Sequence, residues 1–296
     1  MAEHHASPTA SPTATTSART GARDRLEVSH GPERPGLVGE LLAEFAGTAI
    51  LILFGVGVVA QVVAGGNGGD DAIHWAWGLG VTLGVYVAGR ASGAHLNPAV
   101  TIALAVFKGF AWSKVPAYCV AQFLGALVAA LVVRVTYNDL IIAADPGTTY
   151  DTQGIFSTLP NPGIGLGDAF LDQVVGTAIL VFVIFAVTEA RATPPGVNLA
   201  PLIIGLLVVG IGMAWGVNAG YAINPARDFG PRVASWLTGY STAMREPGGA
   251  FYFWIPIVAP VVGGLVGGFL YKVLVERYLP AEQGASTEPG RVPTDA

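Results

Sequence analysis

"SGAHLNPAVT" occupies residues 92–101 and "GYAINPARDFGPR" residues 220–232. Asn97-Pro98-Ala99 in the first recurs as Asn224-Pro225-Ala226 in the second, 127 residues on, each time after a long apolar run. Proline breaks an apolar helix and asparagine is costly in lipid, so two such breaks are not incidental. Asparagine is a favoured N-cap and proline suits the first helical position, so each motif starts a new helix. A second match supports a duplication: "GTAIL" stands at 47–51 and again at 176–180, an offset of 129.

The surrounding chain is a membrane sequence. Hydrophobic residues make up 52% and charged residues 12%, with a mean hydropathy of +0.56. Soluble domains carry about twice that charged fraction. The net charge of -5 says little, because the polar ends contribute much of it. Residues 1–35, rich in Ala, Ser, Thr and Pro, are expected to be a disordered tail, and 281–296 a second one. The first is not expected to be a signal peptide, because no apolar core follows its charges before Leu37. Residues 36–280 form the expected channel domain. Six stretches near 37–63, 72–92, 114–136, 167–189, 198–217 and 250–274 are long enough to span roughly 30 Å of hydrocarbon. Two segments, about 97–107 and 224–236, begin at the Asn-Pro-Ala motifs and are too short to span.

Each half, about 37–136 and 167–274, therefore holds three spans and one half-helix in the same order. Three is odd, so the second half enters from the opposite side: an inverted repeat. The two half-helices then start facing each other near mid-membrane. Irregular backbone before each start cannot face lipid and must line a water-filled path. It offers the carbonyls of Gly93, Ala94 and His95 and of Asn218, Ala219, Gly220 and Tyr221. The Asn97 and Asn224 amides can donate to a passing molecule. Helix N-termini add positive potential where they meet, which repels cations and protons. The pattern predicts a narrow polar pore for small neutral molecules.

Other chemistries find little support. Cys119 is the sole cysteine, which excludes an intrachain disulfide and a cysteine metal site; it reads as a small buried apolar residue. No metal-ligand spacing, nucleophile elbow, phosphate loop or paired-carboxylate site occurs, so no enzyme activity, cofactor, metal or nucleic-acid partner is expected. Arg19, Arg23, Arg25, Arg34, Lys108, Lys114, Arg191, Lys272, Arg277 and Arg291 fall on one side of the spans, with Arg245 alone in a loop on the other. That asymmetry places both termini in the cytoplasm.

Residues 37–280 resemble the major intrinsic proteins, the aquaporin and glycerol-facilitator family, through "SGAHLNPAVT" and "NPARDFGPR". The resemblance implies an all-α membrane protein with six transmembrane helices and two re-entrant half-helices, a pore in every protomer, a homotetramer in the plasma membrane, and no catalysis. It also implies a constriction of Trp77, Gly212, Tyr221 and Arg227. Water-selective relatives usually carry His where this chain has Gly212. Trp77 and Tyr221 would make an apolar corner for a polyol's carbon edge, with Arg227 bonding its hydroxyls from the other side. Asp228 after the second motif and "FSTLPNP" at 156–162 resemble the glycerol branch. Family members brace each re-entrant loop with a buried Glu. Glu44 fits, but its counterpart on the GTAIL offset is Gln173, which accepts through its carbonyl without a second buried charge. Asp172 is one residue off, about 100° round the helix. His95 is expected to brace the loop with its ring and meet solute with its carbonyl. Gly263-xxx-Gly267, Gly264-xxx-Gly268 and Ala121-xxx-Gly125 read as helix packing. The implied function is passive conduction of glycerol and similar polyols, and of water. Alternatives are a water-selective channel, against which Gly212 argues, and a secondary transporter, for which only Glu44 would be available to couple ions.

Overall fold

The computed structural model describes residues 36–280. Both expected tails lie outside the described residues. The chain is helical, in the order α1 (Leu37–Val63), α2 (Asp70–Ser92), α3 (Pro98–Phe107), α4 (Val115–Thr136), α5 (Asn138–Ala144), α6 (Tyr150–Gln153), α7 (Leu166–Thr188), α8 (Ala200–Ala219), α9 (Pro225–Leu237) and α10 (Ile255–Leu274). Among the described residues the only β pairing is an isolated bridge between Arg245 and Phe251. The six long helices and two half-helices fall where the sequence placed them.

Five of the long helices are apolar enough to cross a membrane, and α2 is not among them. It carries Asp70, Asp71, His74 and Arg90 within its 23 residues. Its surroundings explain the tolerance: α2 is wedged between α1 and α8. A Cβ on Gly84 would stand 2.6 Å from the Gly47 carbonyl of α1, so the two backbones touch. The small-residue pairs elsewhere do the same, with Gly125 against Phe45 of α1 and Gly263 and Gly267 against Val174 and Ala178 of α7. Without a hydrophobic drive between helices in lipid, such close approach supplies the packing attraction. Cys119 is half-buried on α4 rather than enclosed.

Two helix limits differ from the sequence reading. The last span begins at Ile255 rather than near 250, because residues 250–254 form a return in which Ala250 accepts from Glu246 and Tyr252 donates to Met244. Pro256 in the first turn then sets the helix start. The fifth runs two residues past its expected end, to Ala219, and stops at Gly220, whose φ of 63° leaves the helical region.

At the end of the bundle where α1 begins, Lys108 after α3 bonds Glu189 after α7 at 3.0 Å and Glu276 after α10 at 2.8 Å. Arg191 bonds the same two carboxylates. Arg191, with Lys108 beside it, holds the Glu189 carboxyl down to about 2 against the opposing pull of its burial.

Candidate functional site

The two motifs meet. Asn97 caps α3 with its side-chain oxygen, accepting from Ala99 N at 2.8 Å, and Asn224 caps α9 by accepting from Ala226 N at 3.0 Å. Proline follows at the first helical position each time. The amide nitrogens reach across: Asn97 Nδ2 donates to the Ile223 carbonyl at 2.9 Å, and Asn224 Nδ2 to the Leu96 carbonyl at 2.8 Å. One N–H of each amide is thus tied into the seam and one is left over. The sequence reading treated both amides as free donors; half of that capacity is structural.

The residues that receive these bonds are strained. Leu96 and Ile223 have φ of 51° and 43°, and Ala94 has 50°. A β-branched residue in the left-handed region is unusual, and such conformations cost on the order of 1–3 kcal/mol unless their surroundings fix them. Here both ends of the peptide are fixed. The Leu96 and Ile223 carbonyls accept the opposite asparagine, and their N–H groups donate to the braces. Leu96 N meets Glu44 Oε2 at 2.7 Å, and Ile223 N meets Gln173 Oε1 at 3.1 Å.

Glu44, fully buried, also accepts from His95 N at 2.9 Å, Ser92 Oγ at 2.6 Å and Gln122 Nε2 at 2.8 Å. Gln173, equally buried, donates instead to the Ala219 carbonyl at 3.3 Å and to that of Gly220. Asp172 sits aside, accepting from Asn218 Nδ2 at 3.1 Å. The His95 ring braces as expected, with Nδ1 3.2 Å from Thr101 Oγ1 and its plane edge-on to Phe110.

A cavity of about 540 Å³ runs along this seam, lined from Gly93 through Asn97 and from Tyr221 through Asn224, and walled by Trp77, Val100 and Arg227. This corrects the second set of pore carbonyls. Asn218 and Ala219 are still helical, and the carbonyls of Asn218, Ala219 and Gly220 are taken by Asn161 N and Gln173 Nε2. The wall on that side is Tyr221, Ala222 and Ile223.

Of the residues expected at the constriction, Trp77 is 3% exposed, Tyr221 7% and Arg227 9%, so the indole is buried rather than set at a membrane interface. The Arg227 guanidinium lies over the Trp77 ring at 3.9 Å rather than across the lumen from it. A cation is attracted to the face of an indole, and stacking leaves its in-plane N–H donors free to point elsewhere. Gly212 does not itself line the cavity. A Cβ there would stand 2.8 Å from Tyr221 Cζ and 2.7 Å from His74 Nδ1, so the missing side chain makes room for these two rings. Of these two neighbours of Gly212, Tyr221 lines the cavity and His74 does not. Asp228 does more than relieve the first turn of α9. It accepts from Thr158 N at 2.8 Å and Thr158 Oγ1 at 2.7 Å, and pairs with Arg232 Nε at 2.8 Å. Arg232, fully buried, donates further to the carbonyls of Ala243 and Thr158, each at 2.7 Å. "FSTLPNP" is thereby fastened over the half-helix.

Sequence reasoning missed His74, Ser92, Gln122 and Thr158. His74 was findable: three residues before Trp77, it falls on the same helix face. Gln122 is the one amide in the apolar run of α4.

A family model described as "Major intrinsic protein" matches residues 33–271. The chain is 44% identical over 269 residues to a "Glycerol uptake facilitator protein" of Pseudomonas aeruginosa, covering 87% of this chain and 96% of that one. It is 46% identical over 247 residues to "Aquaglyceroporin-2" of Rhizophagus irregularis, covering 80% and 77%. The solved aquaglyceroporin from Plasmodium falciparum superposes with a TM-score of 0.74 at 33% identity, over 82% of this chain and 98% of that one.

Proposed function

The chain belongs to the major intrinsic protein family, and on that footing we propose that it is a passive membrane channel for glycerol and similar small neutral polyols. Relatives named as glycerol facilitators and aquaglyceroporins support the solute class. The observation that carries the reading is the wall at the constriction. Trp77 and Tyr221 offer apolar ring surface beside the Arg227 guanidinium, which makes no hydrogen bond through its side chain among the described residues. A polyol has one carbon-rich edge and one hydroxyl-rich edge, so both are matched in one orientation. Water crosses by the same path, bonding Arg227 and the free N–H of Asn97 and Asn224.

Ions and protons are excluded by Arg227 and by the facing N-termini of α3 and α9. Ion-coupled transport is disfavoured because Glu44 is saturated by four donors and stands behind the loop. The proposal includes residues 36–280 as the channel domain, both termini in the cytoplasm, residence in the plasma membrane and, from the family, a homotetramer with a pore in each protomer. Stopped-flow light scattering on proteoliposomes tests it. Glycerol and water should cross, sorbitol poorly, and an imposed ion gradient should change nothing. Glycerol impermeability, or flux that needs the gradient, overturns it.

A further inference from the structure

His74 stands outside the cavity wall, half-buried one turn into α2, with its Nδ1 2.9 Å from the Tyr221 hydroxyl. The two rings lie 5.3 Å apart at 56°. Their pairing is built into α8 as well: added Cβ atoms would meet His74 Nδ1 at 2.7 Å from Gly212 and His74 Cε1 at 3.2 Å from Gly216. The Gly212-xxx-Gly216 pair is the slot that receives this imidazole and the phenol beside it.

We infer that His74 is a positioning residue for solute selection: it holds the Tyr221 hydroxyl outside the lumen, so that a tyrosine presents passing solute with an apolar ring. This rests on the channel reading above. Tyrosine is an awkward residue for the carbon-facing side of a polyol path, because its hydroxyl both donates and accepts. Left unpartnered beside a lumen, that hydroxyl turns toward water and solute. Bonded to His74, it is occupied whichever of the two atoms carries the shared proton.

The test is a double-mutant cycle read as the glycerol-to-water permeability ratio per channel in proteoliposomes. His74→Leu fills the slot but takes no hydrogen bond. It is expected to lower the ratio by about fivefold, the worth of one ordinary hydrogen bond. Tyr221→Phe is the reference background: it removes the hydroxyl that His74 holds, and its own ratio is the baseline for the second half of the cycle. The decisive arm is His74→Leu with Tyr221→Phe, which should match the Tyr221→Phe ratio, because the histidine then has no hydroxyl to hold. His74→Gln, whose amide can take the same bond, should keep the wild-type ratio. A ratio unchanged in His74→Leu, or a double variant that falls below Tyr221→Phe by the same factor as His74→Leu falls below wild type, overturns the inference. If His74→Leu fails to assemble, assembly of the double variant with the Tyr221→Phe ratio supports it, and failure of both overturns it, the slot then needing a histidine for packing alone. Wild-type protein that conducts no glycerol would instead sink the channel reading.

Discussion

The two half-helices carry the same backbone and opposite chemistry. Counting from each asparagine, Val100 matches Arg227, Thr101 matches Asp228, and Ala105 matches Arg232. Val100 and Arg227 both face the cavity, and Thr101 and Asp228 are both turned into the protein. α3 has no charged residue, whereas α9 buries three. The braces are reversed: the first half uses the carboxylate of Glu44, the second the neutral amide of Gln173. What the repeat preserves is the strained residue before each asparagine, held at its N–H and its C=O. What it leaves free is where each half keeps its buried charge. The loops decide this. The first offers donors, namely Ser92 Oγ, His95 N and Leu96 N, which suit a carboxylate. At the position matching Ser92 the second has Ala219, and it presents carbonyls and a single N–H, which suit an amide.

The largest expected effect breaks this comparison at the braces. Glu44→Leu leaves four interior donors without their acceptor, at about 1–3 kcal/mol each. Folded, membrane-inserted protein should be lost, measured as monodisperse yield after detergent extraction. Gln173→Leu strands one N–H and two carbonyls at a helix end, and a reduced yield should survive. Equal losses would mean that the braces are equivalent and the contrast empty.

Next in size is the register where threonine faces aspartate. Asp228→Thr makes the halves alike there, but strips Arg232 of its buried counter-charge, which costs about 3–5 kcal/mol. It also frees Thr158, so the cover over α9 should loosen. The melting temperature in detergent should fall sharply, and limited proteolysis should cut near 156–162 first. An unchanged melting temperature would show that the carbonyls of Ala243 and Thr158 suffice for Arg232.

Smaller effects come from exchanging the braces in kind. Glu44→Gln turns an NH₂ toward groups that already donate, and Gln173→Glu sets a carboxylate against the Ala219 and Gly220 carbonyls. Each should cost about 1–3 kcal/mol, measured as a lower melting temperature. Glu44→Gln should be milder than Glu44→Leu, because one oxygen remains. A neutral outcome for Gln173→Glu would mean that the amide is a tolerated variant rather than a match to its loop.

Much of this architecture was legible in the chain. The motif pair and the GTAIL offset gave the inverted repeat, and apolar length gave the spans. The caps at Asn97 and Asn224 followed from residue type alone. Less legible was anything set by where a helix stops. Asn218 and Ala219 read as loop because asparagine before Ala-Gly suggests a terminus, yet the helix continues to the glycine that can leave it. Partners across the fold were hidden too. Nothing local to Gly212 says that the space it leaves is filled by Tyr221 and His74, because that depends on the α2–α8 crossing. Nor does the sequence of α9 show that Arg227 stacks on Trp77, 150 residues earlier.

The smallest effect concerns two glycines that a sequence treats alike. Gly84 of the first half and Gly212 of the second both stand in long helices, and both would crowd an added methyl. Their neighbours differ in kind. At Gly84 the nearest atom is the Gly47 backbone carbonyl, at 2.6 Å, which moves only if α1 and α2 separate. At Gly212 the nearest atoms belong to the His74 and Tyr221 side chains, at 2.7 and 2.8 Å, which can turn. Gly84→Ala should therefore destabilise the protein, by about 1–3 kcal/mol, with little change in solute preference among the channels that remain. Gly212→Ala should leave the melting temperature nearly unchanged and push the Tyr221 ring toward the lumen. A narrower path obstructs a polyol more than water, so the glycerol-to-water ratio should fall by about threefold, equivalent to roughly 0.65 kcal/mol of added barrier. Both readings come from the same preparation, one by thermal melt and one by stopped flow. If Gly212→Ala lowers stability and leaves the ratio alone, the glycine serves helix approach like Gly84, and the second half selects solute without help from the side chain that position 212 lacks.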